Sequence, residues 1–305
     1  MEKLKIIFAG TDGVGAELLR KISKLFDVVL VVTGQDKPAG RKLQLQPSPV
    51  KLVAEELELE VFQPLDINAD LSVRRLANLN PDIILVMAYG QILSREVLDI
   101  PKIACLNVHA SLLPKYRGAS PIQASILNMD KKTGISLMKM VRQMDSGPVY
   151  RQFTLGIAAN DTAQSLADKL AKLAAGEVPR VLFEIESGLQ PEDQNEAKAT
   201  YCGKISKADG QIDWSRPAGE IMARMRAFDP WPGSYSFFEG KRLKILSAET
   251  REGHFSGDPG MVLRDGIVCG DGLIHTLELQ IEGGNAQSLH DFINGHPDFI
   301  GTQLK

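Results

Sequence analysis

Residues 103–118 of the chain read IACLNVHASLLPKYRG, an apolar run that ends in an amide, an imidazole and a turn. The apolar part, residues 103–108, has the continuous hydrophobic pattern of a strand that is buried on both faces. Similar runs occur earlier in the chain, at residues 4–9, 28–33 and 83–88. Amphipathic helical segments such as residues 15–25 separate these runs. The alternation predicts an α/β domain with a Rossmann-like, mostly parallel sheet and helices on both faces.

Two more strands and a long helix are predicted to complete this first domain. Residues 135–141 and 149–155 are largely apolar, and a turn that contains Ser, Gly and Pro separates them. A helix is predicted to follow over residues 161–187, and either Asn160 or Asp161 is expected to cap it.

A second, smaller domain is predicted after a polar connection. Residues 189–203 show neither hydrophobic period, which indicates an exposed linker. A helix is predicted over residues 218–227, and short strands with Gly-rich turns at 234–238, 243–248, 260–263, 266–269 and 273–282. Short strands at even spacing are typical of a small OB-like β-barrel. The predicted boundaries are 1–188 for the first domain, 189–203 for the linker and 204–305 for the barrel domain.

Composition and charge limit the classes of protein to which the chain can belong. Its 305 residues are enough for two hydrophobic cores, and 44% hydrophobic with 24% charged residues is an ordinary globular balance. The formal net charge of -3 gives no global attraction to nucleic acid, so a polyanionic partner would need a local basic patch. The three cysteines lack pairing or metal-ligand spacing, and no apolar segment is long enough to span a membrane. These features predict a cytoplasmic protein.

Asn107 and His109 lie two residues apart at the end of the quoted strand. Alternate residues of a strand point to one face, so both side chains are expected at the carboxyl edge of the sheet, where open α/β sheets bind ligands. Asn107 could instead satisfy a neighbouring turn, and a lone histidine is more often a hydrogen-bonded core residue. The pairing of the two, their position and the following turn with its basic tip favour a functional site.

An amide beside an imidazole suits the transfer of an acyl or formyl group. Attack on a carbonyl places negative charge on its oxygen, and preorganised hydrogen-bond donors stabilise that oxyanion. An imidazole can also relay protons, but it needs a partner that fixes its tautomer. Asp145 follows an apolar strand, and a hairpin there could return it to the strand end that carries His109. The sequence is equally compatible with Asp145 as an ordinary turn carboxylate.

Longer motifs surround these residues. Asn107-x-His109 is followed by Ser111-Leu112-Leu113-Pro114, Arg117-Gly118, Pro121-Ile122 and Met144-Asp145-Ser146-Gly147. This pattern resembles the signature of the 10-formyltetrahydrofolate-dependent formyltransferases. The stretches that narrow the resemblance to the branch acting on methionyl initiator tRNA are residues 8–11, 36–41 with 47–51, and 212–215 with 227–232. The similarity extends over nearly the whole chain.

The resemblance implies an activity and the residues that perform it. In this family 10-formyltetrahydrofolate is the formyl donor, no metal is required, and the acceptor is the α-amine of methionyl initiator tRNA. By resemblance Asn107 and His109 hold the oxyanion, while Asp145 pairs with His109 and manages the transferred proton. The folate ring is expected to lie along two segments, formed by Met87, Ala88, Tyr89 and Gly90 and by Ser111, Leu112, Leu113 and Pro114.

Basic residues are expected to bind the tRNA. The long connection over residues 34–49 has little to bury, and by resemblance it reaches the acceptor stem with Lys37, Arg41 and Lys42. OB-like barrels commonly bind oligonucleotides. The barrel residues expected to face RNA are Arg224, Arg226, Lys241 and Arg242, together with Lys244. No membrane partner is expected, and the chain is expected to be a monomer.

Other functions remain open at this point. Small-molecule formyltransferases share Asn107, His109 and Asp145 but lack a basic loop joined to this second domain. A non-catalytic RNA-binding module would tolerate the loss of all three side chains. Residues 10–15, GTDGVG, suggest a nicotinamide dehydrogenase, but they depart from the order G-x-G-x-x-G, and no acidic residue ends the second strand. These glycines are expected instead to permit a tight strand-to-helix turn.

Overall fold

The computed structural model describes residues 3–39, 44–251, 253 and 255–305. The chain divides into two compact units. Unit 1 contains Met1–Pro121, Lys132–Gly156 and Leu166–Cys202, and unit 2 contains Ile122–Lys131, Ile157–Ser165 and Gly203–Lys305. Two short segments before residue 166 therefore belong to unit 2, although the predicted boundaries assign them to the first domain.

Unit 1 is built around one large sheet. The strands up to residue 202 are β1 (Lys5–Gly10), β2 (Asp27–Val32), β3 (Lys37–Ala39), β4 (Gln44–Gln46), β5 (Val61–Phe62), β6 (Ile83–Met87), β7 (Ala104–His109), β8 (Arg117–Gly118), β9 (Lys132–Lys139), β10 (Val149–Gly156) and β11 (Tyr201–Cys202). The α-helices of this part of the chain are α1 (Gly13–Ile22), α2 (Pro49–Glu56), α3 (Asp70–Asn78), α4 (Arg95–Leu98), α5 (Pro121–Leu127) and α6 (Ala163–Glu186).

The sheet has seven strands in the order β10-β9-β7-β6-β1-β2-β5. Neighbouring strands from β7 to β5 are parallel, whereas β9 and β10 are antiparallel to their neighbours. Every residue of β6 is buried, and so are five of the six in β7, as expected for strands that are covered on both faces. The predicted Rossmann-like, mostly parallel sheet is confirmed.

The turn between β1 and α1 explains the glycines of residues 10–15. A side chain at Gly10 would lie 2.8 Å from the carbonyl oxygen of Met87, and one at Gly15 would lie 3.0 Å from the same atom. Asp12 caps α1 by accepting hydrogen bonds from the amides of Val14 at 3.1 Å and Gly15 at 3.3 Å. Close packing of the helix start against β6 therefore accounts for Gly10 and Gly15 without a bound dinucleotide.

Helix α6 begins at Ala163, so the predicted cap at Asn160 or Asp161 is wrong. Thr162 is the cap, because its hydroxyl accepts a hydrogen bond from the amide of Ser165 at 3.2 Å. The Ser165 hydroxyl in turn accepts from the amide of Thr162 at 3.1 Å, which completes a reciprocal capping box. Asp161 supports this cap from outside the helix, since its carboxylate accepts a hydrogen bond from the Ser165 hydroxyl at 2.8 Å.

Residues 189–203, predicted as an exposed linker, are ordered against unit 1 over much of their length. Glu192 forms an antiparallel bridge with Val149. Tyr201 and Cys202 form β11, which pairs in parallel with β8. Most of the segment is exposed, as predicted, and none of its residues is buried, but it belongs to unit 1 as far as Cys202.

The long connection after β2 forms a hairpin, because β3 pairs antiparallel with β4. Side chains tie the base of this hairpin to the sheet. The hydroxyl groups of Thr33 and Ser48 are buried and lie 2.7 Å apart. The carboxylate of Asp36 accepts hydrogen bonds from Lys51 at 2.7 Å and from Gln63 at 2.8 Å. The connection is therefore anchored at its base rather than solvated throughout.

Unit 2 contains the second group of strands. Its elements after residue 203 are α7 (Ala218–Ala227), β12 (Ser234–Phe238), β13 (Lys241–Arg251), β14 (Val262–Leu263), β15 (Gly266–Cys269), β16 (Gly272–Ile281), β17 (Gln287–Ser288) and α8 (Leu289–Gly295). The strand order is β12-β13-β16-β15-β14, and β17 pairs with β16. All of these pairings are antiparallel.

The C-terminal residues connect the two edges of this sheet. The amide of Phe237 in β12 donates to the carbonyl of Lys305 at 3.2 Å, and the amide of Leu304 donates to the carbonyl of Gly260 at 2.9 Å, close to β14. Trp214 packs into the buried core, where its indole N–H donates to the Ser236 hydroxyl at 3.1 Å. The C-terminal residues therefore bond to both edges of this sheet, and the second, all-antiparallel strand domain that the strand spacing predicts is confirmed.

Candidate active site

The end of β7 and the turn between β9 and β10 bring three polar side chains together. Asn107 pairs with Met138 and His109 pairs with Ser136, so β9 runs beside the end of β7 in the opposite direction before the chain enters the turn that contains Asp145. Asn107 Nδ2 lies 3.5 Å from Asp145 Oδ1, and His109 Nδ1 lies 3.7 Å from Asp145 Oδ2. The hairpin places Asp145 beside the other two residues, as the sequence predicts.

His109 is held in one orientation by the backbone. Its Nε2 lies 2.9 Å from the carbonyl oxygen of Tyr116, and because a carbonyl only accepts, Nε2 carries the proton and donates it. Nδ1 then faces Asp145, and a proton that reaches Nδ1 would lie between the two side chains. The oxyanion-holding roles that the resemblance implies for Asn107 and His109 stay predictions.

The Asp145 carboxylate is positioned by several hydrogen bonds. The amide of Gly118 donates to Oδ2 at 2.8 Å. Gly118 has a φ of +121°, and a side chain there would lie 2.1 Å from the carbonyl oxygen of Cys202, so only glycine fits. Asp145 itself has a φ of 50°. The side-chain Nε2 of Gln194 stabilises this turn by donating to the backbone carbonyls of Asp145 at 2.9 Å and Gly147 at 2.7 Å. The carboxylate is thus fixed before any substrate binds.

The turn over residues 111–114 is held in place by hydrogen bonds to the buried hydroxyl of Ser136. The Ser136 hydroxyl donates to the carbonyl of Ser111 at 2.6 Å and accepts from the amide of Leu113 at 3.0 Å. Gln152 donates to the Leu113 carbonyl at 2.7 Å. The polar backbone groups of Leu113 are therefore used within the protein, while Leu112 and Pro114 are partly exposed.

The segment after β6 alternates between buried and exposed residues. Met87 and Tyr89 are buried, whereas Ala88 and Gly90 are exposed and have positive φ angles of 52° and 93°. The carbonyls of Ala88 and Tyr89 accept hydrogen bonds from Thr11, through its amide at 3.1 Å and its hydroxyl at 2.9 Å. Burial raises the pKa of Tyr89 to about 12, and its hydroxyl has no hydrogen-bond partner among the described residues. Only the surface at Ala88 and Gly90 is open to a ligand.

The basic residues expected to bind RNA differ in how far they are exposed. Lys37 is exposed on β3, whereas Arg41 and Lys42 lie outside the described residues. Arg224 and Arg226, in unit 2, are already engaged within the protein. The Arg224 guanidinium donates to the carbonyl of Asp209 at 2.9 Å. In the described part of the connection after β2, Lys37 is the exposed member of the expected set.

Arg226 and Arg242 differ in how freely they can reach a partner. Arg226 donates to the carbonyl of Asp161 at 3.3 Å, and burial lowers the pKa of its guanidinium. Arg242 instead lies over the ring of Tyr235 at 4.2 Å, with exposed Lys241 and Lys244 on the same strand. Arg226 is therefore half-buried and bonded within unit 2, whereas Lys241 and Lys244 are exposed; the expected contact of Arg226 with RNA stays a prediction.

The cysteines are free thiols in the structure, at Cys105, Cys202 and Cys269. Burial raises the pKa of the Cys105 thiol to about 12. Across the described ranges, no group of three or more His, Cys, Asp or Glu side chains is arranged to hold a metal ion. In the same ranges no helix combines the length and apolar character needed to cross a membrane.

The groups that orient the three polar side chains were not identified from the sequence. Tyr116 and Gly118 contribute backbone atoms, and the only sequence signal for them is the Arg-Gly pair that ends the quoted stretch. Gln194 lies 49 residues from Asp145 along the chain, in a segment without hydrophobic periodicity. No local pattern could have connected the two residues.

Comparison with known proteins defines first a class and then a family. The family model described as formyl transferase matches residues 4–182, and the one described as formyl transferase, C-terminal domain, matches residues 204–297. Together with the fold and the polar cluster, these matches define the chain as a formyltransferase. The methionyl-tRNA formyltransferase of Marinobacter nauticus is 42% identical over 299 residues, which cover 96% of each chain. The chain belongs to the methionyl-tRNA formyltransferase family.

Solved structures share the fold at low sequence identity. The methionyl-tRNA formyltransferase from Clostridium thermocellum is 20% identical with a TM-score of 0.59, covering 81% of this chain and 94% of that protein. HypX from Aquifex aeolicus, solved in complex with tetrahydrofolic acid, is 17% identical with a TM-score of 0.66. The matched region covers 98% of this chain and 48% of HypX. Both likenesses support the same arrangement of strands and helices.

Proposed function

We propose that the protein transfers the formyl group of 10-formyltetrahydrofolate to the α-amine of methionyl initiator tRNA, which yields formylmethionyl-tRNA for translation initiation. The convergence of Asn107, His109 and Asp145 at the carboxyl edge of the sheet supports this most directly. Formyl transfer needs a donor to an oxyanion and a route for one proton. The cluster contains groups suited to both, in a member of the methionyl-tRNA formyltransferase family.

In the proposed reaction the amine nitrogen attacks the formyl carbon and a new C–N bond forms. Negative charge develops on the formyl oxygen, and the N–H of Asn107 that is not directed at Asp145 stabilises it. The bond between the formyl carbon and the folate nitrogen then breaks. The amine loses one proton and the folate nitrogen gains one, so the reaction releases no net proton.

Asp145 and His109 are proposed to carry that proton. The carboxylate of Asp145 is partly exposed, with 14% of its side chain accessible, so an attacking amine can approach it. The bond from His109 Nε2 to the Tyr116 carbonyl keeps Nδ1 directed at Asp145. His109 can therefore take up or return the proton at Nδ1 while its own orientation stays fixed.

The folate ring is proposed to lie against the exposed surfaces of residues 88–90 and 112–114. Ala88 and Gly90 present open backbone there, and Leu112 and Pro114 present apolar surface. A flat heterocycle with polar edges suits this combination of backbone groups and aliphatic side chains. The buried side chains of Met87, Tyr89 and Ser111 are proposed to support the two turns rather than to touch the ligand.

The tRNA is proposed to contact Lys37, Arg41 and Lys42 of the connection between residues 34 and 49, and Lys241 and Arg242 of β13. Phosphate contacts from lysine and arginine supply most of the sequence-independent affinity of such complexes. Arg224 and Arg226 contribute less in this proposal, because their guanidinium groups bond to backbone carbonyls of unit 2. The protein is proposed to act as a monomer in the cytoplasm, which light scattering and cell fractionation would check.

The assay that tests the proposal mixes the purified protein with 10-formyltetrahydrofolate and charged initiator tRNA. Formation of formylmethionyl-tRNA is expected, with loss of turnover in His109→Ala. Formylation of small amines but not of the charged tRNA would favour a small-molecule enzyme. Tight RNA binding without turnover would favour a non-catalytic RNA-binding module.

A further inference from the structure

Among the described residues, Arg117 is the largest fully buried side chain, and its guanidinium uses all five of its N–H groups. It donates to Gln194 Oε1 from Nε at 3.1 Å and from Nη2 at 2.8 Å. It donates to both carboxylate oxygens of Glu196, at 2.8 Å and 2.6 Å, and to the Tyr201 hydroxyl at 3.4 Å. A guanidinium bound in this way has one orientation. Arg117 therefore has a fixed position, and the side chains that bond to it are held in place relative to it.

Gln194 connects this fixed point to the turn that carries Asp145. Its Oε1 accepts both hydrogen bonds from Arg117, and its Nε2 donates to the carbonyls of Asp145 at 2.9 Å and Gly147 at 2.7 Å. An amide side chain offers two acceptor sites and two N–H groups, so all four are used. No other side chain of this length supplies both functions.

The contacts form a closed ring around the candidate active site. The backbone amide of Gly118 donates to the Asp145 carboxylate at 2.8 Å, and the side chain of its neighbour Arg117 reaches the Asp145 backbone through Gln194. The carbonyl of Tyr116 accepts from His109 in the same stretch. Residues 116–118 therefore fix both His109 and Asp145, and Gln194 closes the ring from the opposite side.

The Asp145 turn needs this support because its backbone is not in a preferred conformation. Asp145 has a φ of 50°, in the left-handed region that few non-glycine residues adopt. A side chain at Gly147 would lie 1.9 Å from the carbonyl oxygen of Lys139, so the turn is also tightly packed. Without the bonds from Gln194, two carbonyls of a strained turn would lose their donors.

We propose that Gln194 is a positioning residue for formyl transfer. Its side chain links the Asp145 turn to the buried Arg117 and thereby holds the Asp145 carboxylate in place. This inference rests on the proposed function of Asp145. Gln194 itself touches neither substrate nor reacting atoms in this account. The segment predicted as a linker thus becomes part of the support of the active site.

Three variants separate positioning from general stability. Gln194→Met keeps the length of the side chain but loses all four hydrogen bonds. Gln194→Glu keeps acceptors for Arg117 but loses both donors to the turn. Gln190→Met is the matched control, because Gln190 is exposed in the same segment and its amide donates to the Gly188 carbonyl of its own turn.

Steady-state formylation is measured for each variant well below its melting temperature. We expect kcat to fall about 10- to 100-fold in both Gln194 variants, with KM for both substrates little changed, because misplacement of a catalytic group by about 1 Å can cost that much. Glu196→Gln, which weakens Arg117 but spares the bonds from Gln194 to the turn, should lower kcat less. Gln190→Met should match the wild type.

A second measurement reports on the position of the Asp145 carboxylate without an activity assay. Exchange of the Gly118 amide, followed by NMR, should become about tenfold faster in Gln194→Met, because the carboxylate that accepts this N–H is displaced. A wild-type kcat together with unchanged exchange in Gln194→Met would overturn the inference and leave the proposed function intact. An inactive wild type would instead contradict the proposed function, and the exchange result would still decide the role of Gln194.

Discussion

Replacing Asn107 with aspartate perturbs the candidate active site by one charge and almost no volume. Asn107 Nδ2 lies 3.5 Å from Asp145 Oδ1, so Asn107→Asp replaces a weak hydrogen bond with two facing carboxylates. At that separation and an effective dielectric constant of about 20, the repulsion is about 5 kcal/mol. His109 at 3.7 Å from Asp145 can offset part of it by taking up a proton. We therefore expect a loss of stability of a few kcal/mol at neutral pH.

The sign of the pH dependence follows from the charges. Repulsion exists only while both carboxyls are ionised, so uptake of one proton by the folded pair removes it. The difference in unfolding free energy between wild type and Asn107→Asp should shrink as the pH falls and grow as it rises. Urea denaturation at several pH values measures this difference. Turnover should be lost at every pH, since the oxyanion donor is gone.

Two control variants make the result specific. Asn107→Ala removes the donor without adding charge, so kcat should fall about 10²- to 10³-fold while stability changes little. Asn285→Asp adds the same charge at an exposed position and should alter neither property. Equal stability of Asn107→Asp and Asn107→Ala across the pH range would refute the close approach of residues 107 and 145. Near-wild-type turnover of Asn107→Ala would refute its role as oxyanion donor.

Three further outcomes are expected. Gly118→Ala should lower the unfolding free energy by more than about 2 kcal/mol, because the new side chain meets the Cys202 carbonyl; a wild-type denaturation curve would contradict this. Asp36→Asn should remove stability that is present at neutral pH and lost in acid, because the hydrogen bond from Lys51 holds the pKa of Asp36 below its usual value; a pH-independent loss in denaturation would speak against it. Arg41→Ala should weaken tRNA binding and reduce its salt dependence by roughly one phosphate contact, and an unchanged salt slope would exclude that contact.

Local periodicity was sufficient to predict the central sheet and the paired side chains at its edge. The buried run before Asn107 could only be an inner strand of an α/β sheet, and alternation then placed Asn107 and His109 on one face. The proximity of Asp145 to these two residues could also be predicted, because a hairpin of two apolar strands can return the chain to the strand end that carries His109. Each of these steps depends on residues that are close in sequence or share a strand.

The support of the site could not be predicted in the same way. Arg117 and Glu196 are separated by 79 residues, and their bond is formed between polar side chains that carry no periodic signal. A polar segment such as residues 189–203 looks the same in sequence whether it is solvated or bonded to a buried guanidinium. The same limit applies to Arg226, since nothing local distinguishes a free surface cation from one that is half-buried and bonded to a carbonyl.

Single-turnover formyl transfer by Asp145→Asn tests the central claim most directly. The variant keeps the shape of the side chain but cannot accept a proton as a carboxylate does. With methionyl initiator tRNA and 10-formyltetrahydrofolate bound in advance, the transfer rate should fall by about 10²-fold or more while tRNA affinity stays at the wild-type level. A transfer rate equal to that of the wild type would contradict a catalytic role for the cluster of Asn107, His109 and Asp145.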